Sequence, residues 1–256
     1  MSGEPLFIGV SLKMYFDHER TLSWCDAVRD RLAARQLPAD AAELVVLPSL
    51  VSLDAAGRIF DGAGVGLGAQ NVFWEDAGAY TGEVSAPALS QVGCDYVEVG
   101  HAERRRIFGE DDGIIAAKTT AAIRNGLTPI LCVGEPSRGD VDAAATRCIA
   151  DIEQVLAGVV DAGEPTRIVV AYEPEWAIGA QDPAPVDHIA GVCGAIRDWL
   201  AGHSVLAGSR VIYGGSAGPG LLTRLNGYAD GLFLGRFAHD PDALDAILAE
   251  AVELAA

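Results

Sequence analysis

The stretch Val169–Ala180, VVAYEPEWAIGA, joins a continuous apolar run to two carboxylates that are separated by a single proline. The run is apolar on both of its alternating faces, which is typical of a parallel β-strand that is covered on both sides. The predicted strand, residues 167–173, ends at Glu173. A strand of this kind needs similar neighbours and helices on both faces of its sheet.

Seven further apolar runs of the same kind recur along the chain, at residues 5–10, 43–48, 65–70, 95–100, 128–134, 210–215 and 230–235. Amphipathic stretches lie between most of them, at residues 19–37, 113–125, 142–160, 186–200 and 240–254. Eight strands that alternate with helices predict an α/β fold, a single-domain (β/α)8 barrel over residues 1–256. The alternative is an open doubly wound sheet, but no GxGxxG follows the first strand to support it.

Composition limits the function classes. Half of the 256 residues are hydrophobic, which is enough for a large core, and 36 acidic against 18 basic residues give a net charge of -18. This charge argues against binding to nucleic acid or to anionic membranes, so any phosphate must be held by local contacts. Five cysteines without a CxxC pair, and no apolar run of roughly 18 residues, predict a soluble cytoplasmic protein with free thiols and no membrane span.

In a (β/α)8 barrel the chemistry lies where the strands end, because the βα loops converge there. The polar and glycine residues that follow the predicted strands are Ser11, Lys13, Gln70, Asn71, His101, Glu103, Cys132, Glu135, Glu173, Gly214, Gly215, Ser216, Gly235 and Arg236. A lysine, an imidazole, a candidate base and two glycine turns are therefore expected on one face.

Each of these residues also has an ordinary structural interpretation. A lysine such as Lys13 is usually a solvated surface charge, and His101 could merely cap a helix. Glu173 is more informative, because a partly desolvated carboxylate at the end of an apolar strand has a raised pKa suited to taking a proton from carbon. Glu175 is expected to be a solvated loop residue, and Cys132 a residue of the core.

The glycine turns YGGSAGPG, residues 213–220, and LGRF, residues 234–237, follow the last two predicted strands. They could be simple tight turns. However, barrels place phosphate groups at this position, on backbone N–H groups and the N-terminus of a short helix. Residues 73–83, FWEDAGAYTGE, form a long loop with aromatic residues, which indicates a partner surface.

Together these motifs resemble the triosephosphate isomerase family over nearly the whole chain. The strings that carry the resemblance, in the family's order and spacing, are LKM at 12–14, GAQN at 68–71, TGE at 81–83, GHAERR at 100–105, ILCVGE at 130–135, AYEPEWAIG at 171–179 and YGGS at 213–216. The resemblance implies an isomerase that moves a proton between adjacent carbons of a small sugar phosphate through an enediolate. It requires no metal and no organic cofactor.

The resemblance also implies roles for individual residues. Glu173 would be the base, and His101 the neutral electrophile, the pairing that triosephosphate isomerase itself exemplifies. Lys13 would stabilise the enediolate, with Glu103 as its partner. Pro174 to Ala180, including Trp176 and Ile178, would be a lid. The N–H groups of Gly179, Ser216, Gly235 and Arg236 would bind the phosphate.

Three positions depart from the family pattern and bear on the substrate. Ser11 stands where the family usually has asparagine, Ala102 where it has serine, and Arg236 where it has a second glycine. Ser11 and Arg236 resemble the branch of the family that isomerises erythrulose phosphates in tetritol breakdown, so the favoured reaction converts L-erythrulose 1-phosphate to D-erythrulose 4-phosphate. The smaller Ser11 would leave room for the extra hydroxymethyl group. The alternative is triosephosphate isomerase proper, the glycolytic reaction of dihydroxyacetone phosphate and glyceraldehyde 3-phosphate.

Two other classes stay open at this point: an aldolase that uses Lys13 as a Schiff base, and a non-catalytic phosphate-binding barrel. For assembly, the resemblance implies a homodimer in which residues 70–83 enter the neighbouring subunit near Ser11 and Lys13. Trp74, Tyr80 and Thr81 would be the contacts.

Overall fold

The computed structural model describes residues 4–255, and within them eight parallel strands form a closed barrel. The strands pair in sequence order, and the first closes the barrel by pairing with both the second and the eighth, as in the registers Ser11 with Leu47 and Phe7 with Gly231. The predicted α/β barrel class is confirmed, and the open doubly wound sheet is excluded. The predicted domain 1–256 also includes residues 1–3 and 256, which lie outside the described residues.

The strands are β1 Leu6–Ser11, β2 Ala42–Leu47, β3 Val65–Ala69, β4 Tyr96–Val99, β5 Thr128–Val133, β6 Val169–Tyr172, β7 Arg210–Tyr213 and β8 Gly231–Leu234. The helices are α1 His18–Arg35, α2 Leu53–Phe60, α3 Ala86–Gln91, α4 Ala102–Phe108, α5 Asp112–Arg124, α6 Val141–Ala162, α7 Val186–Ala201, α8 Leu221–Arg224 and α9 Pro241–Ala255. No helix within residues 4–255 is long and apolar enough to cross a membrane.

The helices begin where the sequence supplies a cap. Asp17, Asp111 and Asp140 each accept a hydrogen bond from a backbone N–H in the first turn of α1, α5 and α6. The predicted first helix extended to Leu37, but α1 ends at Arg35 because Gln36 adopts a left-handed backbone conformation with φ of 53°. This small difference comes from a C-cap in which a non-glycine residue takes the place that glycine usually fills.

Apolar side chains form two cores. One lies between the strands and the surrounding helices, and the other fills the barrel interior with Phe7, Val45, Leu47, Ile130, Cys132, Val169, Ala171, Ile212 and Phe233. Gly9 on β1 makes room for Phe233, since a Cβ there would lie 2.6 Å from its ring. The interior of the barrel is therefore filled by packed side chains and is not an open channel.

Candidate active site

A cavity of about 310 Å³ opens where the strands end. It is lined by residues from the ends of β1, β4, β6, β7 and β8, among them Lys13, His101, Glu173, Gly214 and Arg236. The structure therefore brings together side chains that are up to 223 positions apart in sequence. Because the strands are parallel, their ends share one rim, which is the physical reason that these residues meet.

Glu173 follows β6 directly and is 6% exposed. Burial raises its pKa to about 8, and the nearby negative charge of Glu98 adds to the shift. Among the described residues the Oε2 atom of Glu173 has no hydrogen-bond partner, although the Nε2 atom of His101 lies 3.4 Å away. A buried carboxylate oxygen without a partner is costly, so its lone pair is available to a ligand in the cavity.

Two glycines allow the backbone and side chain of Glu173 to occupy this position. A Cβ on Gly214 would lie 2.6 Å from both the Cγ and the Oε1 of Glu173, and a Cβ on Gly134 would lie 2.0 Å from its carbonyl oxygen. Both distances are shorter than any real carbon contact. Glycine after β5 and after β7 is thus a requirement of the close approach to Glu173.

His101 is the N-cap of α4 and is 4% exposed. Its Nδ1 atom accepts a hydrogen bond from the N–H of Glu103 at 3.0 Å, so in the neutral ring the hydrogen is on Nε2, which faces Glu173. Burial lowers the pKa of His101 to about 4, and the positive charge of Lys13 contributes. The ring is therefore neutral near neutral pH, as the resemblance implied for His101.

Lys13 follows β1 in a left-handed backbone conformation, with φ of 49°. Its carbonyl oxygen accepts hydrogen bonds from Ser49 and Gln70, both at 3.1 Å, which fix this loop. Its ammonium group forms an ion pair with Glu103 at 2.9 Å. Burial lowers the pKa of Lys13, but Glu103 and the charge of Glu173 outweigh it and raise the pKa. The lysine therefore remains a cation beside the cavity.

The predicted lid begins at the buried Pro174 and forms a short 3-10 helix at Glu175–Ala177. The Nε1 atom of Trp176 donates a hydrogen bond to Glu135 at 2.7 Å, which ties the lid to the loop after β5. At the far end, the N–H of Ala184 donates to the hydroxyl of Tyr213 at 2.9 Å. The segment is thus fixed at both ends, and Ile178 between them faces the cavity.

The predicted phosphate-binding residues all line the cavity. In this structure, however, the N–H of Ser216 donates to the carbonyl of Ala177 in the lid, and the Ser216 hydroxyl donates to Ala180. The Arg236 side chain donates to the carbonyl of Gly179 at 3.1 Å. The Ser216 amide must therefore exchange its lid partner before it can bind an anion. Gly235 stands between β8 and the 3-10 helix Arg236–His239.

Glu98 was missed by the sequence reasoning. It lies in the middle of β4, is 4% exposed, and faces the same cavity. The hydroxyl of Ser11 donates a hydrogen bond to its Oε2 atom at 2.8 Å. The space beside Ser11 therefore holds a carboxyl group as well as room for a substrate. The available signal was a single acidic residue inside a short apolar run, DYVEVG at residues 95–100.

Two smaller expectations can be compared with the structure. Cys132 is buried in the barrel interior, as expected of a core residue, and burial raises its pKa well above the ordinary range. Glu175 was expected to be a solvated loop residue. It is instead half-buried, since it lies in the 3-10 helix of the lid, and it contributes to the cavity wall.

The chain is similar to known proteins over nearly its whole length. The family model for triosephosphate isomerase matches residues 6–251. A relative from Pectobacterium atrosepticum named L-erythrulose-1-phosphate isomerase is 48% identical, over 99% of this chain and 98% of its own length. One of the same name from Rhizobium etli is 40% identical, over 95% and 91%. A triosephosphate isomerase from Aquifex aeolicus is 39% identical, over 80% and 85%.

The fold and these matches define a barrel enzyme that isomerises sugar phosphates. The chain belongs to the triosephosphate isomerase family, as its motifs predicted.

Proposed function

We propose that this chain interconverts L-erythrulose 1-phosphate and D-erythrulose 4-phosphate by proton transfer through an enediolate. The observation that carries the proposal is the buried, unpartnered Oε2 atom of Glu173, 3.4 Å from the Nε2 atom of a neutral His101. A base that takes a proton from carbon needs an oxygen lone pair that is not already engaged in a hydrogen bond. The C–H group of the substrate is too weak a donor to displace another partner from that lone pair. A neutral imidazole beside that base can donate to the substrate oxygens.

The proposed reaction moves one proton between neighbouring carbons and involves no net oxidation. Glu173 takes the proton from C3 of L-erythrulose 1-phosphate, and the electron pair of the broken C–H bond forms the C2–C3 double bond of the enediolate. The same carboxyl group returns a proton to C2, while the hydroxyl proton passes from the oxygen on C3 to the oxygen on C2. The carbonyl group has then moved to C3, which gives D-erythrulose 4-phosphate.

His101 and Lys13 would stabilise the charge that develops on the substrate oxygens. The Nε2–H of His101 points to the space beside Glu173, where both oxygens of the enediolate would lie. Lys13 supplies a fixed positive charge, held by Glu103 at 2.9 Å. Preorganised donors and charges of this kind act strongly in a buried site, because they need no reorganisation during the reaction.

The phosphate would bind to backbone N–H groups of Gly179, Ser216, Gly235 and Arg236. The chain as a whole carries a charge of -18, so a local set of N–H donors is needed to hold a dianion. An enediolate next to a phosphate-bearing carbon tends to expel the phosphate. Closure of Pro174 to Ala180, with Trp176 and Ile178 as apolar cover, would exclude water and hold the intermediate in place.

The names of the relatives support a tetrulose phosphate as the substrate. The two relatives named for L-erythrulose 1-phosphate match at 48% and 40% over more than nine-tenths of both chains. Triosephosphate isomerase itself is the second candidate, and the relative from Aquifex aeolicus at 39% identity favours it. The two substrates differ by one hydroxymethyl group on the carbon that loses its proton.

Steady-state kinetics with both substrates tests the proposal. We expect kcat/KM for L-erythrulose 1-phosphate to exceed that for dihydroxyacetone phosphate by about 100-fold or more, since a site built to hydrogen-bond a hydroxyl rejects an analogue that lacks it. A higher kcat/KM for dihydroxyacetone phosphate would instead support the second candidate function, that of a triosephosphate isomerase. Borohydride trapping with substrate should leave Lys13 unmodified, which separates the isomerase from a Schiff-base aldolase.

The proposal includes a homodimer through residues 70–83. Nine consecutive residues, 75–83, are exposed, and the aromatic rings of Phe73 and Tyr80 pack against each other at the base of this loop. Met14 is 92% exposed and Val51 is 84% exposed, on segments that the hydrogen bond from Ser49 to Lys13 joins. Exposed apolar side chains beside a protruding loop support an interface. Sedimentation at micromolar concentration tests this, and a monomer there would contradict it.

A cytoplasmic location and a role in tetritol breakdown complete the proposal. All five cysteines are buried free thiols, which suits a reducing compartment. Fractionation of cells grown on a tetritol tests both, because the chain should be induced and found with cytoplasmic markers.

A further inference from the structure

Glu98 is a buried carboxyl group that the proposed proton transfer does not use. Its side chain lines the cavity, and within residues 4–255 the hydroxyl of Ser11 is its one hydrogen-bond donor. Among the same residues no donor contacts its other carboxyl oxygen, Oε1. Burial raises the pKa of Glu98 to about 7, so near neutral pH the group can either accept or donate a hydrogen bond.

The Glu98 carboxyl group is unfavourable for the proposed proton transfer. The negative charge of Glu98 adds to burial in raising the pKa of Glu173, which reduces the share of Glu173 that is ionised at neutral pH. A buried carboxyl with one partner also lowers the stability of the fold. Leucine or valine, which fill the neighbouring interior positions, would avoid both costs. A ligand that needs this carboxyl group would account for its presence.

The position of Glu98 indicates which part of the ligand it would meet. Glu98 is on β4 and Glu173 follows β6, and these two strands are the neighbours of β5 in the barrel. Both carboxyl groups line the same cavity. Glu173 would take a proton from C3 of the tetrulose phosphate. A group attached to C3 therefore extends from the neighbourhood of Glu173, and in the tetrulose phosphate that group is the terminal hydroxymethyl, which a triose phosphate lacks.

We propose that Glu98 and Ser11 form a subsite for the terminal hydroxyl of the four-carbon substrate, and that this subsite selects it over a triose phosphate. The proposal rests on the function proposed above. Ser11 holds one carboxyl oxygen through its 2.8 Å hydrogen bond, and the other oxygen pairs with the substrate hydroxyl. Without that hydroxyl the second carboxyl oxygen lacks a partner in a largely buried side chain, which penalises the three-carbon substrate.

The test is the ratio of kcat/KM for L-erythrulose 1-phosphate to that for dihydroxyacetone phosphate. In E98L this ratio should fall by about 100-fold, because the hydrogen bond to the hydroxyl is lost. E98L should melt no lower than the parent protein, since leucine removes a poorly paired buried carboxyl. E98Q should keep the ratio within about threefold, because its amide can accept from Ser11 and donate to the hydroxyl. Equal losses in E98L and E98Q would overturn the subsite.

S11A is a second test that deletes a single oxygen and does not depend on the folding of E98L. Its ratio should fall by about fivefold as Glu98 loses its anchor, and an unchanged ratio would overturn the proposal. Glu43→Gln is the matched control, since Glu43 lies at the opposite end of the barrel and the ratio should not change. If the parent enzyme prefers the triose phosphate, the proposed function fails. If it prefers the tetrulose phosphate but E98L lowers both rates equally, only the subsite fails.

Discussion

The two ends of the barrel differ in how their ionisable side chains are paired. Where the strands begin, the Nη1 atom of Arg210 lies 2.8 Å from Glu43 Oε2, and the hydroxyl of Tyr96 donates to the same carboxylate. Where the strands end, Glu173 Oε2 has no partner and Glu98 has one. Tyr96 and Glu98 are two residues apart on β4, so one short strand contributes to both arrangements.

We infer from this difference that the closed end contributes to stability and the open end to catalysis. At the closed end Arg210 and Glu43 form an ion pair within the protein, although the Nη1 atom of Arg210 makes no well-aligned hydrogen bond. No ligand is needed to balance these two charges. Unpaired carboxyl groups at the open end cost stability, and their raised pKa values make them useful only when a substrate enters. If this contrast is correct, substitutions at the open end should change turnover and raise stability. Substitutions at the closed end should lower stability and leave turnover nearly unchanged.

The largest effect is expected from Glu173→Gln, which keeps the shape of the side chain and removes the base. We expect kcat to fall by about 10³- to 10⁴-fold with KM within about threefold, because substrate contacts remain while the proton acceptor is lost. Steady-state assays measure this. Normal turnover by this variant would refute the proposed mechanism and would leave a non-catalytic phosphate-binding barrel as the better account.

The same variant should be more stable than the parent protein, and increasingly so at higher pH. The pKa of Glu173 is about 8 in the folded protein against an ordinary value of 4.5, so the folded state binds more protons and loses stability as the pH rises between these values. The glutamine variant escapes this loss. Its melting temperature should exceed that of the parent by on the order of 5 °C at pH 9 and match it near pH 4.5. A constant difference across this range would contradict the raised pKa.

Gly214→Ala tests the packing around the base. Its Cβ would lie 2.6 Å from the Cγ of Glu173 and must displace that side chain. We expect kcat/KM to fall by about 10- to 100-fold, because a shift of about 1 Å in a reacting group is enough for such a loss. Gly139→Ala is the control, since a Cβ there meets nothing within 4 Å. Equal activity of the two variants would mean that Glu173 tolerates displacement.

Arg210→Met probes the closed end. Removing the cation leaves Glu43 half-buried without its ion-pair partner, and we expect the free energy of unfolding to fall by about 2 kcal/mol. Urea denaturation measures this change. The kcat/KM value should stay within about twofold, because the substituted side chain is a full strand length from the cavity. A large drop in kcat without loss of stability would remove the distinction between the two ends.

The smallest effect is expected from Arg236→Ala. The Arg236 side chain is exposed and donates to the carbonyl of Gly179 at 3.1 Å, so its removal loosens one contact between the lid and the turn after β8. KM should rise by about three- to fivefold with kcat within about twofold. Arg224→Ala, an exposed arginine on α8, is the control. Loss of kcat by more than tenfold would instead indicate a direct contact with the reacting atoms.

Much of the fold follows from the sequence, because apolar runs and amphipathic stretches alternate with little ambiguity. Lys13, His101 and Glu173 could be placed at one rim by topology alone, since each follows a strand and parallel strands end together. The proposed roles of these residues stay predictions, but their meeting in one cavity is a property of the fold.

Other features depend on contacts that no local pattern contains. Glu98 gains its importance from a hydroxyl 87 residues away on a strand across the barrel, so the isolated acidic residue in β4 had no visible partner. Burial lowers the pKa of His101, and burial is known only once the barrel closes. The hydrogen bond from Ser216 to Ala177 likewise joins two loops whose approach is a tertiary property.

The left-handed backbone at Lys13 places a constraint on how this protein can evolve. A φ of 49° favours glycine, asparagine or aspartate, and none of these supplies a cation. The ion pair with Glu103 requires one. No single replacement by these residues keeps the positive charge. A mutation that relieves the strain of the left-handed backbone therefore also removes the cation from the cavity. Selection for activity should therefore remove substitutions at this position that would stabilise the loop.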